Sequence, residues 1–427
     1  MGKKVLQPDI PAALTGIANL LNPAHGSPAV RRANSFSSLL IGVLILWAVL
    51  DAAGRFGPIA WLHTIPELVA ARHSGLDSPF APDFSIREDH WIGETTVTGN
   101  LPPEESRAPI VFSTDELGFR RTPNLPATSR LDYLLTGGSS FAYGGGLSDD
   151  ETFPAALTRD EHLSTYNGGR YFWDVPHFVY VERLLHRLQP RKPSAAVYLY
   201  WENLNPTLDL RQLDPLPWAV DRPGRMILGS PRYSELRACF QNRTDKTLAA
   251  VSVSPLEVLS IRFFKMFADG RALPNPYASA VTSRVLPNGQ RMLFLDAEVE
   301  RVRTPLSDQV VRQQGEYFQE YARRLAAQGL NLYVILLPNK YSLYGPLVDG
   351  NLAVSPHPFL ERVEAELSSR HIAVLNGFKV LQPYAASDIA SGDLAYYRDD
   401  HHWTPKGVRR IAAAFAGFVR SRDQPAH

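Results

Sequence analysis

The chain has 427 residues, 44 Lys plus Arg against 43 Asp plus Glu, and 44% hydrophobic residues. That apolar content excludes a disordered chain, and the formal net charge of +1 excludes the cation excess by which nucleic-acid binders neutralise phosphates. A lone cysteine, Cys239, excludes an intrachain disulfide or a multi-cysteine metal site, and 34 prolines imply many pinned loops.

Residues 1–32 are irregular and carry Lys3, Lys4, Arg31 and Arg32, which suits a cytoplasmic amino-terminal segment. The stretch ANSFSSLLIGVLILWAVL at 33–50 then holds no charge. About 18 residues at a helical rise span about 27 Å, close to a bilayer core. Because it is apolar on every face, whereas a domain helix keeps one wet side, 33–53 is predicted to be a transmembrane anchor. The arginine pair before it keeps the amino terminus cytoplasmic and sends the rest of the chain outside. Residues 54–128 are rich in proline and charge and are expected to form a membrane-proximal segment packed on the main domain. Within it Glu88-Asp89-His90-Trp91 is read as structural.

From 129 to 422 short apolar runs alternate with amphipathic stretches. Strands are expected at 131–136, 195–200, 330–338 and 371–377, and helices at 174–188, 314–328, 358–370 and 405–419. This alternation predicts an α/β fold, a three-layer sandwich with a central parallel sheet, whose ligand site lies at the carboxyl ends of the strands. Residues 205–304 interrupt the pattern and are read as an insertion. Its Trp218, Tyr233 and Tyr277 could stack on sugar rings, although core packing is the commoner use of such residues.

Three strand ends carry chemistry. Gly137-Gly138-Ser139-Ser140-Phe141-Ala142-Tyr143-Gly144 follows the first strand, and its glycines permit a tight turn that lifts a serine above the sheet. The loop lacks the Gly-Lys-Ser/Thr ending of a P-loop and the spacing of a dinucleotide fingerprint. Asn203, in WENLNP, could donate to a developing oxyanion or serve a turn. In Arg398-Asp399-Asp400-His401-His402-Trp403-Thr404-Pro405-Lys406-Gly407 a histidine base has Asp399 or Asp400 close enough to fix its tautomer. Thr404-Pro405 also reads as a plain helix start, and the Asp/His cluster could suit zinc or manganese, though no His-x-x-x-His spacing supports a metal. No metal or cofactor is expected.

Together these stretches resemble the blocks of the SGNH hydrolase superfamily. GSSFAYGGGLSDDETFPAAL is similar to the first block, with Ser140 aligned to the nucleophile and Ser139 in place of the usual aspartate. Tyr166-Asn167-Gly168-Gly169 is similar to the second, which makes the Gly169 amide an oxyanion donor. Trp201-Glu202-Asn203 resembles the third with Trp for Gly, and makes Asn203 another donor. DDHHWTPKG resembles the last, with His402 as base. The superfamily spacing implies Asp399 as its partner, whereas the Asp-x-His-Trp pattern of the alginate O-acetyltransferase-like subgroup implies Asp400, which is preferred. LLPNKYSLYGPL and DELGFR are similar to that subgroup as well, while the order of Ser before Asp-His follows the ordinary superfamily.

The resemblance implies acyl transfer, with acetyl as the group, to hydroxyls of an exported or cell-envelope polysaccharide. The site would face the periplasm, on a single-pass protein of the bacterial inner membrane. An acyl donor would come from a separate multi-span membrane protein, since one anchor cannot move an acyl group across a bilayer. A carbohydrate O-acetylesterase with the same residues, and a silent glycan-binding or assembly factor, are the alternatives.

Overall fold

The computed structural model describes residues 37–50, 82–83, 85–88, 93–99, 109–126, 130–137, 139–170, 178–202, 208, 210, 213, 281–304, 306–349 and 358–423. An antiparallel pair, β1 (Ser85–Glu88) and β2 (Ile110–Ser113), brackets helix α1 (Glu94–Gly99). Then come β3 (Tyr133–Thr136), α2 (Ser140–Tyr143), α3 (Phe153–Asp160), β4 (Thr165–Asn167), α4 (Val179–Arg187) and β5 (Ala195–Trp201). A hairpin of β6 (Val281–Val285) and β7 (Arg291–Leu295) leads into α5 (Asp296–Arg303), α6 (Asp308–Ala327) and β8 (Asn331–Leu337). The chain continues with α7 (Lys340–Val348), α8 (Pro358–Ser369), β9 (Ala373–Asn376), α9 (Gly377–Leu381), α10 (Ala385–Ser391) and α11 (Pro405–Asp423).

The main sheet runs β4-β3-β5-β8-β9 and every pairing in it is parallel. Its central strands read as continuous apolar runs because both faces are covered. Tyr133, opposite Ala195, and Tyr333, opposite Val197, share one face and pack on Phe415 of α11 with ring centroids 5.4 and 5.7 Å away. Tyr198, one residue on and so on the other face, meets Phe318 and Tyr321 of α6 at 5.0 and 5.6 Å. From β3 the chain steps outward to the edge strand β4 and then returns past β3 to β5. The boundary of β3 and β5 is therefore the switch point, outside whose carboxyl ends a crevice is expected.

The expected strands at 131–136, 195–200, 330–338 and 371–377 are β3, β5, β8 and β9, and β4 is a fifth that periodicity did not reveal. The helix expected from 314 starts earlier, at Asp308, because Ser307 caps it: the Ser307 hydroxyl accepts from the Val310 amide at 3.4 Å. The insertion boundary at 304 is corrected too. Residues 281–304 belong to the domain, since Met292, Leu293, Phe294 and Glu298 are fully buried. The hairpin there turns at Asn288-Gly289, with Gly289 in the left-handed region at φ 83°.

The predicted anchor at 33–53 lies partly outside the described residues. Residues 37–50 are helical with exposed side chains, and among the described residues no helix is long and apolar enough to cross a membrane. Asp89, His90 and Trp91, and Trp218, Tyr233, Cys239 and Tyr277 of the insertion, also lie outside them.

Candidate active site

The turn that carries the candidate nucleophile follows β3 in sequence. Ser139, in extended conformation, precedes α2, and its carbonyl accepts from the amides of Ala142 and Tyr143 at 3.0 and 3.2 Å. The helix closes after one turn at Gly144, which sits in the left-handed region at φ 95°, a conformation glycine adopts without penalty. Ser139 is buried and its hydroxyl makes no hydrogen bond among the described residues. Ser140 instead reaches outward, and its Oγ lies 2.6 Å from His402 Nε2.

His402 is delivered by the turn between α10 and α11. Tyr397 N–H donates to the His402 carbonyl at 3.1 Å, and Tyr396 bridges Trp403, which is fully buried against Phe153 and Phe141. Thr404 then caps α11, its hydroxyl accepting from the Gly407 amide at 3.3 Å, with Pro405 in the first turn. The helix start and the site are thus one construction.

Asp400 is fully buried, and its Oδ1 lies 2.7 Å from His402 Nδ1 and accepts from the His402 amide at 3.2 Å. The two-residue spacing folds the carboxylate back over the turn, so backbone and ring are held by one oxygen. With Nδ1–H donating to Asp400, Nε2 is left as acceptor for the Ser140 hydroxyl, the tautomer a base needs. Asp399 is brought to the same turn, but the contact with His402 Nδ1 belongs to Asp400. The Asp399 carbonyl takes the Thr96 amide at 3.1 Å and the Thr96 hydroxyl at 3.3 Å, and ties α1 onto the loop. Asp399 as partner of His402 is corrected on that ground.

Gly169 sits where expected, packed so tightly on α2 that a Cβ there would lie 2.4 Å from the Ala142 carbonyl carbon. Its amide, however, donates to Asn167 Oδ1 at 3.0 Å. In this structure that local turn engages the proton expected to face an oxyanion. Asn203 lies outside the described residues.

Several contributors were not visible in the sequence. Gly145 faces His402, and a Cβ on it would come within 2.9 Å of Nε2, so the ring has the space only because the residue is glycine. His401 stacks on Trp201 with centroids 5.0 Å apart and planes 11° apart. Burial, then the neighbouring His402, holds the His401 imidazole well below its usual range and so neutral. Glu94, half exposed on α1, has Oε2 3.9 Å from His401 Nε2. With it the Asp/His cluster has four residues whose ligand-capable atoms lie within 4.8 Å of one another. In this arrangement both ring nitrogens of His402 and Oδ1 of Asp400 are engaged along the Ser140–His402–Asp400 chain, which suits proton transfer.

The turn after α2 is held by Arg120 of the DELGFR stretch. Its Nε donates to Asp149 Oδ1 at 3.0 Å, Nη1 to the carbonyls of Gly144 at 2.5 Å and Tyr143 at 3.4 Å, and Nη2 to that of Leu147. Asp149 in turn accepts from the Ser113 amide and hydroxyl of β2. The segment expected to pack on the main domain thus supplies, through Arg120, the fork that fixes the loop behind the candidate nucleophile.

Residues 289–427 match the family described as SGNH hydrolase-like domain, acetyltransferase AlgX. The match supports the SGNH superfamily, with a resemblance to alginate-type O-acetyltransferases. It covers Asp399, Asp400, His401 and His402 but stops short of Ser140. No curated protein matches the chain.

Proposed function

Taking the likeness of residues 289–427 to an acetyltransferase domain as the premise, we propose that this chain transfers an acetyl group to hydroxyls of an exported or cell-envelope polysaccharide. The observation that carries the reading is the unbroken chain of contacts from Ser140 Oγ to His402 at 2.6 Å and from His402 to Asp400 at 2.7 Å, beside the switch point.

In the proposed mechanism His402 Nε2 takes the Ser140 proton as Oγ attacks the acyl carbonyl. The imidazolium that forms is stabilised by Asp400, and then protonates the leaving oxygen of the donor. An acyl-serine remains. His402 next takes the proton of an acceptor hydroxyl, which attacks the acyl carbonyl, forms the new ester and returns Ser140. The oxyanion would be met by the Ser140 backbone amide, at the start of α2, and by Asn203.

The apolar stretch at 33–53 is proposed as the anchor and the periplasm as the working compartment, with a separate multi-span membrane protein as acyl donor. The uncharged sequence and the arginines before it support that orientation. The test is turnover of a chromogenic acetyl ester by the full chain in detergent, with and without oligosaccharide acceptors. Acceptor-dependent acetylation of sugar is expected. Hydrolysis indifferent to acceptor would replace transfer by esterase activity, and no turnover in either case would sink both.

A further inference from the structure

Lys340 is the first residue of α7, in the PNK turn directly after β8, and it is fully buried. Burying an ammonium is costly unless its protons find acceptors, and a methionine of similar length would fill the volume without that cost. The three protons of Lys340 have three carbonyl partners, and all belong to one loop. Nζ donates to the carbonyls of Tyr397 at 3.2 Å, Arg398 at 3.3 Å and Asp400 at 2.8 Å. The Phe294 ring flanks the cation, 5.2 Å from Nζ to its centroid.

The base of this tripod is itself fixed. The Asn339 amide and the Ser342 hydroxyl, on either side of Lys340, both donate to Glu202 Oε2 at 2.8 Å, and Glu202 directly follows β5. One turn of chain thereby joins the end of β5 to the loop that presents Asp400 and His402. The shortest of the three bonds goes to the carbonyl of the residue whose carboxylate holds His402.

We infer that Lys340 is a positioning residue that sets the Asp400–His402 pair at hydrogen-bonding distance from Ser140 by clamping the carbonyls of Tyr397, Arg398 and Asp400. It acts through the loop and touches no reacting atom. The inference rests on the catalytic reading of Ser140, His402 and Asp400, but its test can be read without that reading.

The test compares wild type, Lys340→Met, which has no donor, and Lys340→Gln, which keeps an amide. Thermal unfolding, the kinetics of acetyl-ester turnover, the rate of Ser140 labelling by a fluorophosphonate, and the low-field proton resonance of the His402–Asp400 hydrogen bond are measured. Both folded variants should keep KM and lose kcat, by about 10- to 100-fold in Lys340→Met and less in Lys340→Gln, since small misplacements of a catalytic group act on the chemical step. Labelling should slow in parallel and the proton resonance should shift or vanish. A folded Lys340→Met variant with kcat within twofold of wild type and an unchanged resonance overturns the inference, and so does failure of both variants to fold, which would assign Lys340 to stability alone. A wild type that turns over no ester would sink the proposed function while the resonance still decides on Lys340.

Discussion

The loop after Ser140 and the loop before His402 are each tied down by a buried cation that donates to backbone carbonyls, yet the two clamps differ. Arg120 holds the nucleophile loop with a planar fork and carries its own counter-ion, Asp149, at 3.0 Å. Lys340 holds the base loop with a tripod, and the facing carboxyl, Glu298, is pushed up to about 7 by burial against the pull of Lys340. A guanidinium keeps its charge at every accessible pH and prefers paired planar acceptors, whereas an ammonium is a compact charge suited to converging carbonyls. The difference teaches that the loop after Ser140 is pinned by an ion pair with its own counter-charge, while the loop before His402 sits over a carboxyl raised to about 7.

The largest expected effect separates the two adjacent aspartates of the base loop. Asp400→Asn should lower kcat by about 10⁴-fold, because the His402 tautomer is lost, whereas Asp399→Asn should stay within about tenfold. Steady-state ester kinetics on the two variants decide it, and a reversed order would return the role to Asp399.

On the nucleophile side Arg120→Met leaves Asp149 buried without its cation. A loss of about 3–5 kcal/mol in urea unfolding is expected, since breaking one side of a buried pair is far costlier than its net worth. An unfolding midpoint equal to wild type would show that the fork contributes nothing to holding this loop.

The smallest effect is a pH dependence confined to the base side. Glu298 has a folded value raised from 4.5 to about 7, so the fold prefers its protonated form. That stabilisation is complete below about 4.5 and is lost as pH rises through about 7. Glu298→Gln removes it, so the melting temperature of this variant relative to wild type should climb between pH 5 and 8. A constant difference across that range would place the titration elsewhere.

Much of this architecture was legible because burial on both faces writes itself as uninterrupted apolar runs, as in AAVYLYW and NLYVILL. The three-residue β4 was too short to show a period, and the β6–β7 hairpin was hidden in a proline-rich stretch although Asn288-Gly289 marks its turn. At the site, the glycine-rich turn and the capped helix start marked the two stretches, and the resemblance of those stretches to the superfamily blocks singled out Ser140 and His402 within them. The assignment between Asp399 and Asp400 needed the turn geometry that folds one carboxylate back on His402. Arg120, Lys340, Thr96 and Glu94 act across sequence distances that run from 23 positions, Arg120 to Tyr143, to 307, Glu94 to His401, and such contacts leave no local periodicity to read.

The central claim is that Ser140 forms the acyl intermediate. It is tested most directly by mixing the full chain with an activated acetyl ester, quenching within a turnover and locating the adduct by mass spectrometry of the peptides. An acetyl group on Ser140 that accumulates and then disappears on addition of oligosaccharide is the expected result. An adduct on Ser139, or none under conditions of turnover, would contradict it.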